Sequence, residues 1–206
     1  MKEFLKTWPP LVWLRQSAEY ASWRLRGSVG GAPHWEKQAV LSTYRKAFGL
    51  QILVETGTYL GDMVYAKRRE FAKIYSIELA PQLFLRARKR FAAFANVNIL
   101  AGDSARVLPD LVLGLDRPTL FWLDGHYSGG QTARAEQDTP VARELEAILK
   151  NIRQPFVVLI DDARLFVGQD GYPTLEEVGR MVAASRPDYS VAAESDIIRI
   201  SPKMHA

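Results

Sequence analysis

From residue 36 onward, short apolar runs alternate with stretches of helical periodicity, and no other feature limits the fold of this chain as sharply. The pattern predicts a helix from about Glu36 to Phe48, closed by a left-handed cap at Gly49. Strands at 51–55, 74–78, 97–101, 119–124 and 156–161 then alternate with helices. These run at about 59–71, 81–93, 104–113 and 139–151, and from Pro173 to about Ser185. Pro81 suits a first helical turn, and Asp138 with Pro140 marks the start of another. The run Phe-Val-Val-Leu-Ile at 156–160 is apolar throughout, as in a central parallel strand covered on both faces. Two closing strands, near 189–194 and 197–201, meet tightly around Ser195-Asp196. The expectation is an α/β fold with an open, mostly parallel sheet, helices on both faces and an antiparallel hairpin edge.

In such sheets a ligand sits outside the carboxyl ends of the strands, where strand order reverses. This chain places acids there in succession: Glu55, Glu78, Asp103, Asp124 and the pair Asp161-Asp162. A single acid at such a point is as readily a helix cap, but the set exceeds what capping requires. The first strand opens into Thr56-Gly57-Thr58-Tyr59-Leu60-Gly61, where glycine supplies positive φ and lets a ligand approach the backbone. The spacing differs from the dinucleotide fingerprint G-x-G-x-x-G: Tyr59 stands where the second glycine admits a pyrophosphate. An adenosine joined to something without phosphates fits better. Glu78, 21 residues after Gly57, can accept both ribose hydroxyls, and Asp103 with Ser104 can face the adenine edge. Glu55 and the loop from Thr56 to Gly61 are left for the other end of the cofactor.

These motifs resemble those of the class I S-adenosylmethionine-dependent methyltransferases, whose first motif is an acid-x-Gly-x-x-x-Gly loop after the first strand. Glu55 to Gly61 matches it, Ile-Tyr-Ser-Ile-Glu78 matches the acidic second motif, and Gly102-Asp103-Ser104 looks like the third. The resemblance spans roughly residues 38–203. It implies a Rossmann-like sheet of seven strands with the last antiparallel, and S-adenosyl-L-methionine as cofactor. The cofactor residues it implies are Glu55, Thr56, Gly57, Thr58, Gly61, Glu78, Leu79, Asp103, Ser104 and Asp124, with the methionine end at the first loop. Leu-Asp124-Gly125-His126 and Leu-Ile-Asp161-Asp162 add three carboxylates at neighbouring strand ends, a hard-oxygen set suited to Mg²⁺ or another divalent cation. They look similar to the metal sites of catechol- and macrocin-type small-molecule O-methyltransferases. That similarity implies Asp124, Asp161 and Asp162 as metal ligands and a substrate hydroxyl acidified by the ion, whose proton His126 could remove. Macrocin-type enzymes carry Asp-Gly-Asp where this chain has Asp124-Gly125-His126, and the stretch 127–138 departs from their pattern.

Residues 1–35 read as a separate Trp-rich basic helical arm, and residues 36–206 as the cofactor-binding domain. Residues 1–50 carry a net +5 and the rest −1, which makes the overall +4. Leu11, Leu14, Ala18, Ala21 and Leu25 recur at three and four, as in an amphipathic helix packed on the domain with its tryptophans as anchors. A lid, a homodimer contact or weak membrane-surface docking are the other uses of such an arm. Nucleic acid is disfavoured because no basic stripe extends past the arm. No apolar run is long enough to span a membrane, and the absence of cysteine excludes disulfides and thiolate metal sites and suits a cytoplasmic protein. The expected activity is methyl transfer to a hydroxyl of a small-molecule acceptor. The alternatives are a nicotinamide-dependent reductase, disfavoured by the glycine spacing and the lack of a Tyr-x-x-x-Lys pair, and a non-catalytic S-adenosylmethionine-binding module.

Overall fold

A computed structural model of the chain describes residues 9–28, 30–124 and 140–203. Two helices, α1 (Pro9–Leu25) and α2 (His34–Ala47), precede the sheet. The chain then runs β1 (Ile52–Thr56), α3 (Asp62–Lys67), β2 (Lys73–Glu78), α4 (Pro81–Phe91), β3 (Val97–Ala101), α5 (Ser104–Leu113) and β4 (Thr119–Leu123). It continues through α6 (Val141–Asn151), β5 (Phe156–Ile160), a 3-10 turn (Ala163–Leu165), α7 (Leu175–Ser185), β6 (Tyr189–Glu194) and β7 (Ile197–Pro202). Each expected strand is present to within about a residue. The helix expected over 59–71 is shorter, because Tyr59 and Gly61 take φ of +47° and +77°, which no right-handed helix tolerates. The N-cap expected at Asp138, and Trp8 of the arm, lie outside the described residues.

The seven strands lie in the order β3-β2-β1-β4-β5-β7-β6. Pairing is parallel from β3 to β5, and β7 runs antiparallel to both neighbours. This is the mostly parallel sheet with one reversed strand that the sequence predicts. The closing hairpin turns on Ser195 and Asp196, both at positive φ (+52° and +59°), as a two-residue hairpin turn of the right twist requires.

Side-chain alternation along the buried strands divides the core in two. Ile52, Val54, Phe121, Leu123, Val158 and Ile160 face one layer of helices with Leu108, Val112, Leu145, Ile148 and Val178. Leu53, Ile74, Leu120, Trp122, Val157 and Leu159 face the other with Val40, Leu41, Met63, Val64 and Phe91. Each such side chain contributes about 1.5–3 kcal/mol on burial, which is why the apolar runs could fold only as central strands.

Helix α1 packs on α2 through aromatic contacts. Trp23 is buried, Tyr20 lies between Trp23 and Trp35 with centroids 6.1 Å from each, and Trp13 meets Trp35 at 5.7 Å. The apolar stripe expected to face the domain points to solvent instead, with Leu14 55% and Leu25 89% exposed. The tryptophan and tyrosine faces orient the helix because they bury more area than its leucines and alanines do.

Candidate functional site

Strand order reverses between β1 and β4, and the ladder continues one step beyond the strands. The Asp124 amide donates to the Thr56 carbonyl at 3.2 Å, and the Asp161 amide to the Leu123 carbonyl at 3.0 Å. The sheet itself therefore sets the β1 loop, Asp124 and Asp161 side by side at the switch point.

On the β1–β2 side, parallel register places Glu55 opposite Ser76. The Ser76 hydroxyl donates to Glu55 Oε2, and Thr58 Oγ1 lies 2.6 Å from the same hydroxyl. Burial pushes the Glu55 carboxyl up to about 8, against the Ser76 hydrogen bond that favours its ionised form. The loop is fastened to β2: the amides of Gly57 and Thr58 donate to the Ile77 carbonyl at 3.0 and 3.2 Å. The Tyr59 amide donates to Glu78 Oε2 at 2.8 Å, and the Ala80 amide to Glu78 Oε1 at 2.9 Å. Tyr59 is a bulky residue in the left-handed region, a strain that the Glu78 bond holds in place, and its side chain is exposed. Leu79, next to Glu78, is partly exposed as well.

Gly61 also has a packing role. A Cβ there would lie 2.6 Å from Phe91 Cε2, so its missing side chain admits helix α4. Asp103 accepts from the Ala105 amide at 3.0 Å and so caps α5, with Arg106 at 3.7 Å; Ser104 beside it is buried. Glu144, which the sequence did not single out, is buried on the first turn of α6 beneath the loop. Its Oε2 lies 3.5 Å from Thr56 Oγ1, its Oε1 has no protein partner, and burial pushes it up to about 7.

On the β4–β5 side, Asp161 is buried and its Oδ1 accepts from the Asp162 amide at 2.9 Å. Lys37 of α2 reaches over the strand ends and donates Nζ to Asp161 Oδ2. Burial alone would lower the Lys37 ammonium, but Asp161, Asp124 and Asp162 together carry it above its usual value. Asp161 in turn is pushed up to about 7 by burial and by Asp124, with Lys37 opposing. The carboxylates thus raise Lys37, whereas burial and the neighbouring Asp124 raise Asp161. Asp162 sits at φ +57° with Oδ1 2.7 Å from Arg164 Nη1, and Arg164 also binds Asp196 of the hairpin turn. His34, one turn before Lys37, is lowered by burial against the pull of Asp62. A closed polar triangle ties α2 to α3: Lys67 Nζ donates to Ser42 Oγ (2.6 Å) and Glu70 Oε1 (3.0 Å), and Ser42 Oγ donates to Glu70 Oε2 (2.8 Å).

The sequence expects Asp124, Asp161 and Asp162 to hold a divalent ion. Among the described residues, no three His, Cys, Asp or Glu side chains form a group able to hold a metal ion. The strand-end carboxylates fit a divalent ion poorly, because the Lys37 ammonium engages Asp161 and the Arg164 guanidinium engages Asp162. His126, Arg134 and the stretch 125–138 lie outside the described residues.

No family model matches the chain, and no curated protein does. Solved structures do. An O-methyltransferase from Bacillus cereus in complex with SAH superposes with a TM-score of 0.60 at 14% identity, covering 92% of this chain and 89% of that one. The O-methyltransferase TomG from Streptomyces achromogenes, in complex with SAM, gives 0.59 at 17% identity with the same coverage. The 23S rRNA methyltransferase ErmE gives 0.56 at 11% identity, covering 85% of this chain and 71% of that one. At these identities the likeness is one of fold, and the chain has the Rossmann-like methyltransferase fold.

Proposed function

We propose that this chain is an S-adenosylmethionine-dependent methyltransferase that alkylates a hydroxyl of a small molecule. The observation that carries the reading is the β1 loop, whose amides are tied to the Ile77 carbonyl and whose Tyr59 amide is tied to Glu78 at the switch point. In this reading Glu78 meets the adenosine ribose, and a second acid, Glu55, lies at the base of the loop beside Thr58. Leu79 and Ser104 would flank the adenine, with Asp103 holding the start of α5 beneath it. The structural neighbours crystallised with SAM or SAH support the same choice of cofactor.

Hydroxyl methylation is favoured by the acids and the ammonium at the other strand ends. There the acceptor oxygen forms its bond to the methyl carbon as the S–CH3 bond breaks. The sulfur leaves as a neutral thioether, and the hydroxyl proton passes to a base, for which His126 is the candidate from the sequence. In-line placement of the two reactants supplies most of the rate. Ribosomal RNA methyltransferases share the fold, but a phosphate backbone meets Asp124, Asp161 and Asp162 at this mouth and residues 51–206 carry a net −1.

Calorimetry with S-adenosylhomocysteine and with NAD tests the cofactor: binding of the first and none of the second is expected, and the reverse result would return the chain to the nicotinamide enzymes. A library of hydroxylated acceptors then separates an enzyme from a binding module, since methylated product is expected from at least one member.

A further inference from the structure

The strand-end acids and α2 together hold an arrangement that the sequence motifs did not reveal. Asp124, Asp161 and Asp162 stand at the ends of β4 and β5, where all three act on the Lys37 ammonium, and with Lys37 in place they form no group able to take a metal ion; in the carboxylate-rich sites of such sheets a divalent ion would neutralise them. Here the positive charge comes from the protein. Lys37 enters from the opposite layer, 124 residues away in sequence from the carboxylate it binds. Its side chain is 17% exposed and that of Asp161 is wholly buried, so the pair is seated in the floor of the site with one side toward solvent. Helix α2 cannot drift from this position, because Val40 and Leu41 are buried in the core and Ser42 is locked to Lys67 and Glu70.

We propose that the Lys37 ammonium is the resident cation of the acceptor site and excludes a divalent ion from Asp124, Asp161 and Asp162. Methyl transfer by this chain is accordingly independent of metal. This rests on the methyltransferase reading of the same strand ends. The ammonium carries three N–H donors, so that one bound to Asp161 leaves capacity to hold an acceptor oxygen by hydrogen bonding, a task that a metal performs by coordination. Lys37 acts here as a compact point charge, and arginine keeps the charge while changing its geometry.

The test uses Mn²⁺ alone as the probe, followed by electron paramagnetic resonance on the full chain, with S-adenosylhomocysteine binding measured separately. Wild type is expected to show no saturable Mn²⁺ site below about 1 mM, the weak end of protein cation sites. Lys37→Ala is expected to uncover one at least about tenfold tighter, which Asp161→Asn in the same background removes. Lys37→Arg is expected to remain blind to the ion, and it serves as the folded control should Lys37→Ala prove unstable. A saturable wild-type site that disappears in Asp161→Asn overturns the proposal. So does a Lys37→Ala protein that is folded by circular dichroism yet binds no Mn²⁺, because the carboxylates are then no cation site. Failure of wild type to bind S-adenosylhomocysteine would sink the cofactor reading while leaving the Mn²⁺ result legible on its own.

Discussion

Glu55 is buried against Ser76, and its proton is the most informative one at the site. Its carboxyl titrates near 8 when folded against 4.5 ordinarily, so between those values the folded chain keeps a proton that the unfolded chain has released. Stability contributed by this group therefore falls as pH rises through that window, by on the order of 1.4 kcal/mol per pH unit. Glu55→Gln keeps the size of the side chain and removes the titration. Its melting temperature is expected to depend less on pH between about 5 and 8 than that of wild type, as thermal scans would show. Ligand binding carries a companion signature. Under the proposed function the ammonium of S-adenosylhomocysteine lies beside Glu55 and favours the ionised carboxylate, so binding near pH 7 should release close to one proton. Calorimetric enthalpies in buffers of different ionisation heat should show this, and the slope should vanish in Glu55→Gln. Glu55 and Glu78 were legible in the sequence because each ends an apolar run at a fixed distance from a glycine loop. Glu144 and Lys37 were not: an acid in the first turn of a helix and a lysine on an amphipathic helix carry no local signal, and their partners lie 88 and 124 residues away.

The elements were legible wherever burial set the residue pattern. The central strands β1, β4 and β5 were, because two covered faces demand continuous apolar runs, and the hairpin was, because Ser195-Asp196 separates two short strand-like segments. Helix α3 was overestimated because periodicity cannot register the positive φ of Tyr59 and Gly61. Helix α1 shows the opposite failure. Its leucine stripe has the right spacing for a core face, yet tilted aromatic contacts with Trp35 turn it outward. The two readings of α1 differ in a measurable way. Trp23→Ala removes a buried ring and is expected to cost about 3–5 kcal/mol in urea unfolding, whereas Leu14→Glu on the exposed stripe is expected to change stability by less than about 0.5 kcal/mol. A large loss from Leu14→Glu would return the stripe to the interior.

At the scale of the whole molecule, charge separates the two substrate classes that share this fold. Residues 51–206, which carry the sheet, are near neutral, and the mouth at the switch point is acidic. The full chain is therefore expected to bind a ribosomal RNA hairpin no more tightly than non-specifically at physiological salt, as filter binding would show, with an affinity that collapses as salt rises. Tight, salt-resistant binding would argue for RNA as the acceptor. The sheet also divides its labour along the chain. Glu55, Glu78 and Asp103 stand on the β1–β3 side of the reversal, whereas Asp124 and Asp161 stand on the β4–β5 side and Lys37 arrives from a helix that precedes the sheet. Under the proposed function, donor and acceptor are held by stretches of chain that can drift separately. A descendant could then trade one alcohol for another by altering α2 and the ends of β4 and β5, and inherit its methyl donor unchanged.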